Sequence, residues 1–185
     1  DGFVSISRTR QSVVFPARFT LVASTNPCPC GYFGDTIQDC TCSPRQRESY
    51  WAKLSGPLMD RIDLQVSVNR LKPAELTQVS EGEPSEAVRE RVLAARTLAN
   101  ERFQGESDLH CNAQMQSRHL RQWGHLDDAS RQLLEAAIQR LGLSARAMDR
   151  ILKVSRTIAD LAQAAEIQAT HVAEAIQYRT LDRMQ

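Results

Sequence analysis

Two pairs of cysteines restrict the folds open to this chain more than any other feature of its sequence. Four of the five cysteines lie within fifteen residues in the pattern C-x-C-x9-C-x-C, at Cys28, Cys30, Cys40 and Cys42. Four thiolates can bind one Zn²⁺ ion in tetrahedral geometry, and two short pairs joined by a loop can supply them. The pattern predicts a zinc site, with metal-free reduced cysteines or a disulfide as the alternatives. Cys111 stands apart and is predicted to be a buried thiol.

The length and charge of the chain set broad limits on its class. Its 185 residues suffice for one large domain or two small ones, and the net charge of +1 neither requires nor excludes a polyanionic partner. The sequence begins at Asp1, so we expect a piece of a longer protein. No apolar run approaches the roughly 20 residues that cross a bilayer, and no signal peptide is visible. With the cysteine pattern, this predicts a cytoplasmic protein without a membrane partner.

The first twenty residues carry the pattern of a β-hairpin. Apolar and polar residues alternate over residues 3–8, a polar turn follows, and a second apolar run begins at Val13. Arg8 and Arg10 would lie near the tip. Residues 2–34 contain three arginines and no acidic residue, so the hairpin is either a basic contact surface or an ordinary solvated hairpin.

Residues 19–68 carry the pattern of an α/β sheet interrupted by the cysteine loop. The apolar run at residues 19–24 predicts a strand that is covered on both faces. Asn26 follows it, at the strand end where α/β proteins place their chemistry. Short helices are predicted at residues 49–53 and from Pro57 to Arg61. Alternation at residues 63–68 predicts another strand.

The second half of the chain is predicted to be a bundle of four or five short amphipathic helices. Residues 77–86 are polar and indicate a linker or mobile loop. The predicted helices start at Ser85, within residues 113–123, after Asp127 or Asp128, after Ser144 and after Thr170, and Gly142 is predicted to end the third of them. The first helix has one apolar face, formed by Val88, Val92, Ala95, Ala99 and Phe103.

Three long segments of the sequence resemble one known family. FTLVASTNPCPCGYFGD, KLSGPLMDRIDLQV and LSARAMDRILKVSRTIADL are similar to the magnesium-chelatase-like AAA+ ATPases of the ComM and YifB type. No G-x-x-x-x-G-K-[ST] motif occurs, so the resemblance implies that this chain begins after Walker A and Walker B. It implies an α/β plus all-α fold. Residues 1–70 would form the second half of the AAA+ core, 71–84 a linker and 85–185 the helical lid.

The resemblance also implies roles for particular residues. Asn26 matches the sensor-one residue, which positions the γ-phosphate or the attacking water, although an Asn before Pro is also a common turn residue. Arg61 matches the arginine finger that reaches a neighbouring subunit's nucleotide; the alternative is a pair with Asp60 or Asp63. Arg146 matches sensor two. Arg150 lies one turn further on the same face, and a solvated helix face is the alternative for both.

The implied activity belongs to a larger assembly. The family resemblance implies a hexameric ring that hydrolyses ATP with Mg²⁺ and acts as a DNA helicase in branch migration during natural transformation. The basic hairpin with Arg8 and Arg10 resembles the hairpin before sensor one in related helicases. The alternatives are a motor subunit of a metal-chelatase complex and a zinc-dependent DNA- or protein-binding module without a nucleotide role. The chain alone is expected to be inactive.

Overall fold

The computed structural model describes residues 2–8, 11–54, 56–71 and 82–179. These residues contain one antiparallel pair of strands followed by seven α-helices. The strands are β1 (Phe3–Arg8) and β2 (Gln11–Pro16). The helices are α1 (Pro44–Trp51), α2 (Gly56–Met59), α3 (Ser85–Arg102), α4 (Ser117–Trp123), α5 (Asp128–Leu141), α6 (Ala145–Leu161) and α7 (Ala169–Gln177).

The predicted hairpin is confirmed. β1 and β2 pair in register from Phe3 opposite Pro16 to Arg8 opposite Gln11. The second strand starts two residues earlier than the apolar run at Val13 suggests, because polar residues also take part in the backbone ladder. Side chains on both faces are exposed, so the hairpin stands clear of the hydrophobic cores of the described chain.

The two predicted core strands are wrong for this chain. Residues 19–24 and 63–68 form no strand, and Val22 is 90% exposed instead of buried. A strand exists only where a neighbouring strand accepts and donates its backbone hydrogen bonds. The only sheet in the described residues is the β1–β2 pair, so neither segment has such a neighbour. The apolar runs are present, but most of their apolar side chains are exposed in the described part of the chain.

Helices α3 to α7 form the predicted bundle, with α6 at its centre. α6 packs against α3, α4 and α7, and α7 also packs against α5. One hydrophobic core lies between α5, α6 and α7 and includes Leu134, Ile151 and Val172. A second lies under α3 and includes Phe103 and Met115. The partly buried Leu152 of α6 contacts both cores, so α6 joins them.

The helix ends follow the sequence closely. Asp127 and Ser144 accept hydrogen bonds from backbone N–H groups in the first turns of α5 and α6, as N-cap residues should. Gly142 ends α5 with φ of 63°, in the left-handed region that favours glycine. Thr170 is not the cap of α7. The helix starts at Ala169, and Gln168 is the N-cap.

Two other details differ from expectation. Val88 and Val92 at the start of α3 are exposed, so only the second half of its apolar face is buried. Cys111 is exposed rather than buried, and it is the residue before a short 3₁₀ turn. Among the described residues, no helix is long and apolar enough to cross a membrane.

A buried ionic network ties α3 to α6. The carboxylate of Asp160 is 1% exposed and accepts hydrogen bonds from Arg102, Asn112 and Arg156. Arg156 also donates to the backbone carbonyls of residues 164 and 165, just beyond the end of α6. A charge buried this deeply must be paired and hydrogen-bonded, and Asp160 meets both conditions.

Candidate metal centre and arginine cluster

The four cysteines of the predicted zinc site lie together in a loop without regular secondary structure. Cys28 is fully buried, and the other three are partly exposed. A turn at residues 28–31 closes with a hydrogen bond from the Gly31 N–H to the Cys28 carbonyl, at 3.0 Å. Gly31 has φ of 86° and Gly34 has φ of 82°, conformations that glycine adopts without strain. The two glycines therefore allow the chain to return to the second cysteine pair.

The distances between the sulfur atoms fit one tetrahedral ion. All four Sγ atoms lie within 4.8 Å of one another. The Sγ atoms of Cys28 and Cys30 are 3.3 Å apart, and Cys40 Sγ lies 3.7 and 3.6 Å from them. Zn–S bonds of about 2.3 Å would place the sulfurs about 3.8 Å apart in a regular tetrahedron. All four cysteines are free, and these distances are too long for a disulfide.

Backbone N–H groups directed at the sulfur atoms favour the thiolate form in part of the cluster. The Tyr32 N–H lowers the pKa of Cys30 to about 5. Burial raises the pKa of Cys28, but hydrogen bonds that include the Phe33 N–H outweigh it, and the net pKa is lowered. Burial raises the pKa of Cys42 to about 12. A bound divalent cation would stabilise all four thiolates.

Helix α1 supports the cysteine loop from one side. Ser43 caps the helix and Gln46 returns the hydrogen bond in a capping box, so α1 begins two residues after the last cysteine. Trp51 Nε1 donates to the Pro27 carbonyl at 3.0 Å, and Arg47 Nη1 donates to the Cys42 carbonyl at 2.9 Å. One helix therefore holds the backbone next to both cysteine pairs.

Asn26 lies beside the cysteine loop, and its side chain is exposed. The neighbouring Thr25 hydroxyl hydrogen-bonds the Tyr50 hydroxyl of α1 at 2.9 Å, which fixes the backbone just before Asn26. The strand predicted to end at this point is absent. The position of Asn26 is therefore set by the contacts of the loop with α1.

Arg61 follows α2 and is also exposed. Its guanidinium donates to the Pro57 carbonyl at 2.6 Å, within the same turn. The alternative of a pair with Asp60 or Asp63 does not hold in the structure, because those carboxylates contact other residues.

The segment around Arg61, residues 60–65, docks on the helical bundle and is called the Arg61 segment. Asp60 Oδ2 accepts from the hydroxyl of Ser144, the N-cap of α6, at 3.1 Å. Arg179 is 1% exposed and donates to the Ile62 carbonyl, and its Nη2 lies 3.8 Å from Asp60 Oδ1. The Gln65 N–H donates to the Tyr178 carbonyl at 2.9 Å. Sequence periodicity gave no signal for these contacts, since they join residues more than eighty positions apart.

The two arginines considered for sensor two have different surroundings. Arg150 pairs with Asp63, and its pKa is lowered by burial and by the positive charges of Arg179 and Arg61. Arg146 is exposed on the first turn of α6. The structure therefore brings Arg61, Arg150 and Arg179 into one cationic region and leaves Arg146 directed to solvent nearby, on the helix that Asp60 contacts.

The remaining predicted site residues lie at the hairpin. Arg8 is exposed and is the last paired residue of β1, next to the turn. Arg10 lies outside the described residues.

Comparison with known proteins identifies the family of this chain. Residues 82–179 match the family model described as magnesium chelatase, subunit ChlI C-terminal, and residues 1–76 match magnesium chelatase, subunit ChlI. The chain belongs to the magnesium-chelatase-like family of ComM and YifB. The boundary between the two matches falls within residues 77–81, so the Arg61 segment and the bundle on which it docks belong to different parts of the family pattern.

The relatives that are similar to this chain are longer proteins. The chain is 42% identical over 185 residues to competence protein ComM of Haemophilus influenzae and 41% identical over 185 residues to the uncharacterised protein YifB of Escherichia coli. It is 36% identical over 179 residues to the uncharacterised protein Rv2897c of Mycobacterium tuberculosis. The matches cover 100%, 100% and 97% of this chain and 35% of each relative. The chain thus spans about a third of their length.

Proposed function

We propose that this chain is the C-terminal part of a ring-forming AAA+ ATPase that couples ATP hydrolysis to DNA remodelling, such as branch migration. The observation that carries the proposal is the 42% identity to competence protein ComM over every residue of the chain. The cationic region around Arg61 and Arg150 supports it, because phosphate groups are bound by guanidinium groups. Residues 1–70 would belong to the ATPase core, 71–84 to a linker and 85–185 to its lid.

Three residues are proposed to act on the nucleotide. The Asn26 amide would orient the γ-phosphate or the attacking water as sensor one, and its exposed position next to a braced loop suits that role. Arg61 would act as the arginine finger on a neighbouring subunit. To do so its guanidinium must break its exposed hydrogen bond to the Pro57 carbonyl. Mg²⁺ bound with ATP would neutralise phosphate charge.

Arg146 is the better candidate for sensor two. Arg150 already pairs with Asp63, and moving it would break that ion pair. Arg146 is exposed and lies at the start of α6, near the docked Arg61 segment. It can therefore reach a phosphate outside the chain without breaking an ion pair.

The hairpin is proposed to contact DNA. Arg8 lies beside the turn of an exposed hairpin, and Arg10 is two residues further along the chain. Lysine and arginine contacts to phosphates supply most of the sequence-independent affinity for DNA. A hairpin that projects from each subunit could place such contacts in the pore of a ring.

The cysteine loop is proposed to hold one structural Zn²⁺ ion. Four thiolate ligands would fill its coordination sphere and leave no open position for substrate, so the ion would order the loop and take no part in the reaction. The loop precedes α1, which contacts the backbone on both sides of it. Zinc would thereby also fix the position of Asn26.

A motor subunit of a metal-chelatase complex is the second candidate, favoured by the match to magnesium chelatase subunit ChlI. Both functions would use the same nucleotide residues. A zinc-dependent binding module without ATP is the third, and it rests on the cysteine cluster alone.

Assays of ATP hydrolysis and DNA binding by the full-length protein separate these functions. In that protein, this chain occupies the region that it matches in the relatives. We expect ATP hydrolysis that DNA stimulates, and ATP-dependent branch migration of a synthetic four-way junction. The double variant Arg8→Glu with Arg10→Glu should weaken DNA binding and reduce its dependence on salt. Arg140→Glu, a charge reversal at an exposed position of α5, is the matched control. ATP hydrolysis without any effect of DNA would favour the chelatase motor, and no hydrolysis would favour the binding module.

A further inference from the structure

Asp60 occupies a position that links two functional regions of the chain. It precedes the proposed arginine finger Arg61, and its side chain is 32% exposed. Its Oδ2 accepts from the Ser144 hydroxyl, while that same hydroxyl accepts from the Ala147 N–H at the start of α6. One hydroxyl thus caps the helix that carries Arg146 and also holds the segment that carries Arg61.

Further contacts keep this segment in one orientation. Arg179 donates to the Ile62 carbonyl and approaches the second oxygen of Asp60. Asp63, the residue after Ile62, pairs with Arg150 of α6. The Gln65 N–H then bonds the Tyr178 carbonyl. The segment is therefore attached to α6 at its start and to the end of α7 along its length, and not only through its own turn.

Asp60 also adds a negative charge to a region that is rich in arginine. The positive charges of Arg61 and Arg179 are close enough to Arg150 to lower its pKa. Three guanidinium groups in one region repel one another unless carboxylates lie between them. Asp63 pairs with Arg150, and Asp60 lies beside Arg179. Removal of Asp60 would take one negative charge away from the backbone that positions Arg61.

We propose that Asp60 is a positioning residue that joins the Arg61 segment to the N-terminus of α6, so that Arg61 and Arg146 move as one unit. This inference rests on the proposed function for its effect on ATP hydrolysis. The physical link itself can be measured without any nucleotide.

The link is tested by hydrogen exchange on this 185-residue chain. The Gln65 amide is protected only while the segment is docked, because its acceptor belongs to Tyr178. In Asp60→Ala, exchange at Gln65 should become about tenfold faster or more, while exchange in the middle of α5 stays unchanged. Asp60→Asn keeps an acceptor for Ser144 and should restore most of the protection. Asp128→Ala, which removes an 88%-exposed carboxylate elsewhere, should have no effect.

The positioning role is tested by kinetics of the full-length protein. Asp60→Ala should lower kcat by about tenfold or more and leave KM for ATP within about twofold, since an effect through Arg61 concerns the transition state. In an Arg61→Ala background, the same change should cause little further loss. A role in general stability would instead give an additive loss and a lower melting temperature in both backgrounds.

The outcomes are distinguishable. Unchanged Gln65 exchange in Asp60→Ala, or no recovery in Asp60→Asn, overturns the link through Ser144. A normal kcat, or losses that add with Arg61→Ala, overturns the positioning role. Absence of ATP hydrolysis in the wild-type full-length protein would refute the proposed function instead, and the exchange measurement would still decide whether Asp60 joins the two regions.

Discussion

At the scale of single residues, Arg61 carries the largest share of the proposed chemistry. Its guanidinium is exposed and bonds only a backbone carbonyl of its own turn among the contacts described. The carboxylates on either side are engaged with Ser144, Arg179 and Arg150. Arg61 is thereby left available to an external anion, which is what an arginine finger requires.

Replacement of Arg61 should separate catalysis from binding. In the full-length protein, Arg61→Ala should lower kcat for ATP hydrolysis about a thousandfold or more, because an arginine finger stabilises charge in the transition state. Nucleotide affinity, measured with a fluorescent ATP analogue, should change little. Arg140→Ala serves as the control. Turnover near the wild-type rate would exclude Arg61 as the finger, and recovery of activity on mixing with Walker A-deficient subunits would show that it acts between subunits.

Asp160 is the residue on which the stability of the bundle depends most clearly. Its carboxylate is 1% exposed and binds two arginines and an asparagine. Asp160→Ala should therefore lower the free energy of unfolding by about 3–5 kcal/mol, since it leaves buried arginines without their counter-charge. Urea denaturation followed by circular dichroism measures this. Asp128→Ala, at an exposed pair, should cause a much smaller change, and equal losses in both variants would contradict this view of the network.

At the scale of elements, the cysteine loop and α1 form one unit that metal would order. The loop has no regular secondary structure, and its buried contacts centre on the sulfur atoms and on Trp51 and Arg47 of α1. Metal binding can supply the ordering free energy that such a short loop lacks. The helices of the bundle have their own hydrophobic cores and do not share this dependence.

Metal analysis of the chain tests this dependence. Protein purified without a metal-affinity tag should contain about one zinc ion per chain, as expected for four thiolate ligands. Cys40→Ser should release the ion and increase proteolysis within residues 28–43, with the helical content of the bundle unchanged. Cys111→Ser, which alters an exposed cysteine outside the cluster, is the matched control. Metal-free protein with an ordered loop and reduced cysteines would overturn the proposal.

Some of the helices, strands and loops could be predicted from the sequence, and others could not. The helices, the caps at Asp127 and Ser144, and Gly142 were predictable because each signal lies within a few residues of the structure it specifies. The sequence signals for the hairpin and for the cluster of four cysteines also lie close to the structures that they specify. The prediction of strands at residues 19–24 and 63–68 is wrong because strand pairing depends on partners that are distant in sequence. The docking of Asp60 on Ser144 is likewise a distant contact between two ordinary polar residues, and no periodic pattern marks it.

At the scale of the whole molecule, the chain has one well-packed part and one part with much exposed apolar surface. The bundle has two hydrophobic cores and a buried ionic network. Phe19, Val22 and Val68, by contrast, are 78%, 90% and 88% exposed. The chain spans 35% of the length of its relatives. We expect the exposed apolar segments to be covered in the full-length protein, where the remaining length could supply neighbouring strands.

This division of the molecule predicts that the 185-residue chain does not hydrolyse ATP by itself. Its sequence contains the proposed sensors and the arginine finger but no G-x-x-x-x-G-K-[ST] loop. In P-loop enzymes, the backbone and lysine of that loop make most of the contacts to the phosphates. The purified chain should therefore show no ATPase activity above that of its Arg61→Ala variant, which serves as the control for contaminating enzymes. ATP binding, measured by calorimetry, should be weak or absent. The full-length protein, assayed in parallel, should hydrolyse ATP. Robust hydrolysis by the chain alone that Arg61→Ala abolishes would show that the nucleotide site lies within these residues, and it would require a different assignment of Asn26 and Arg146.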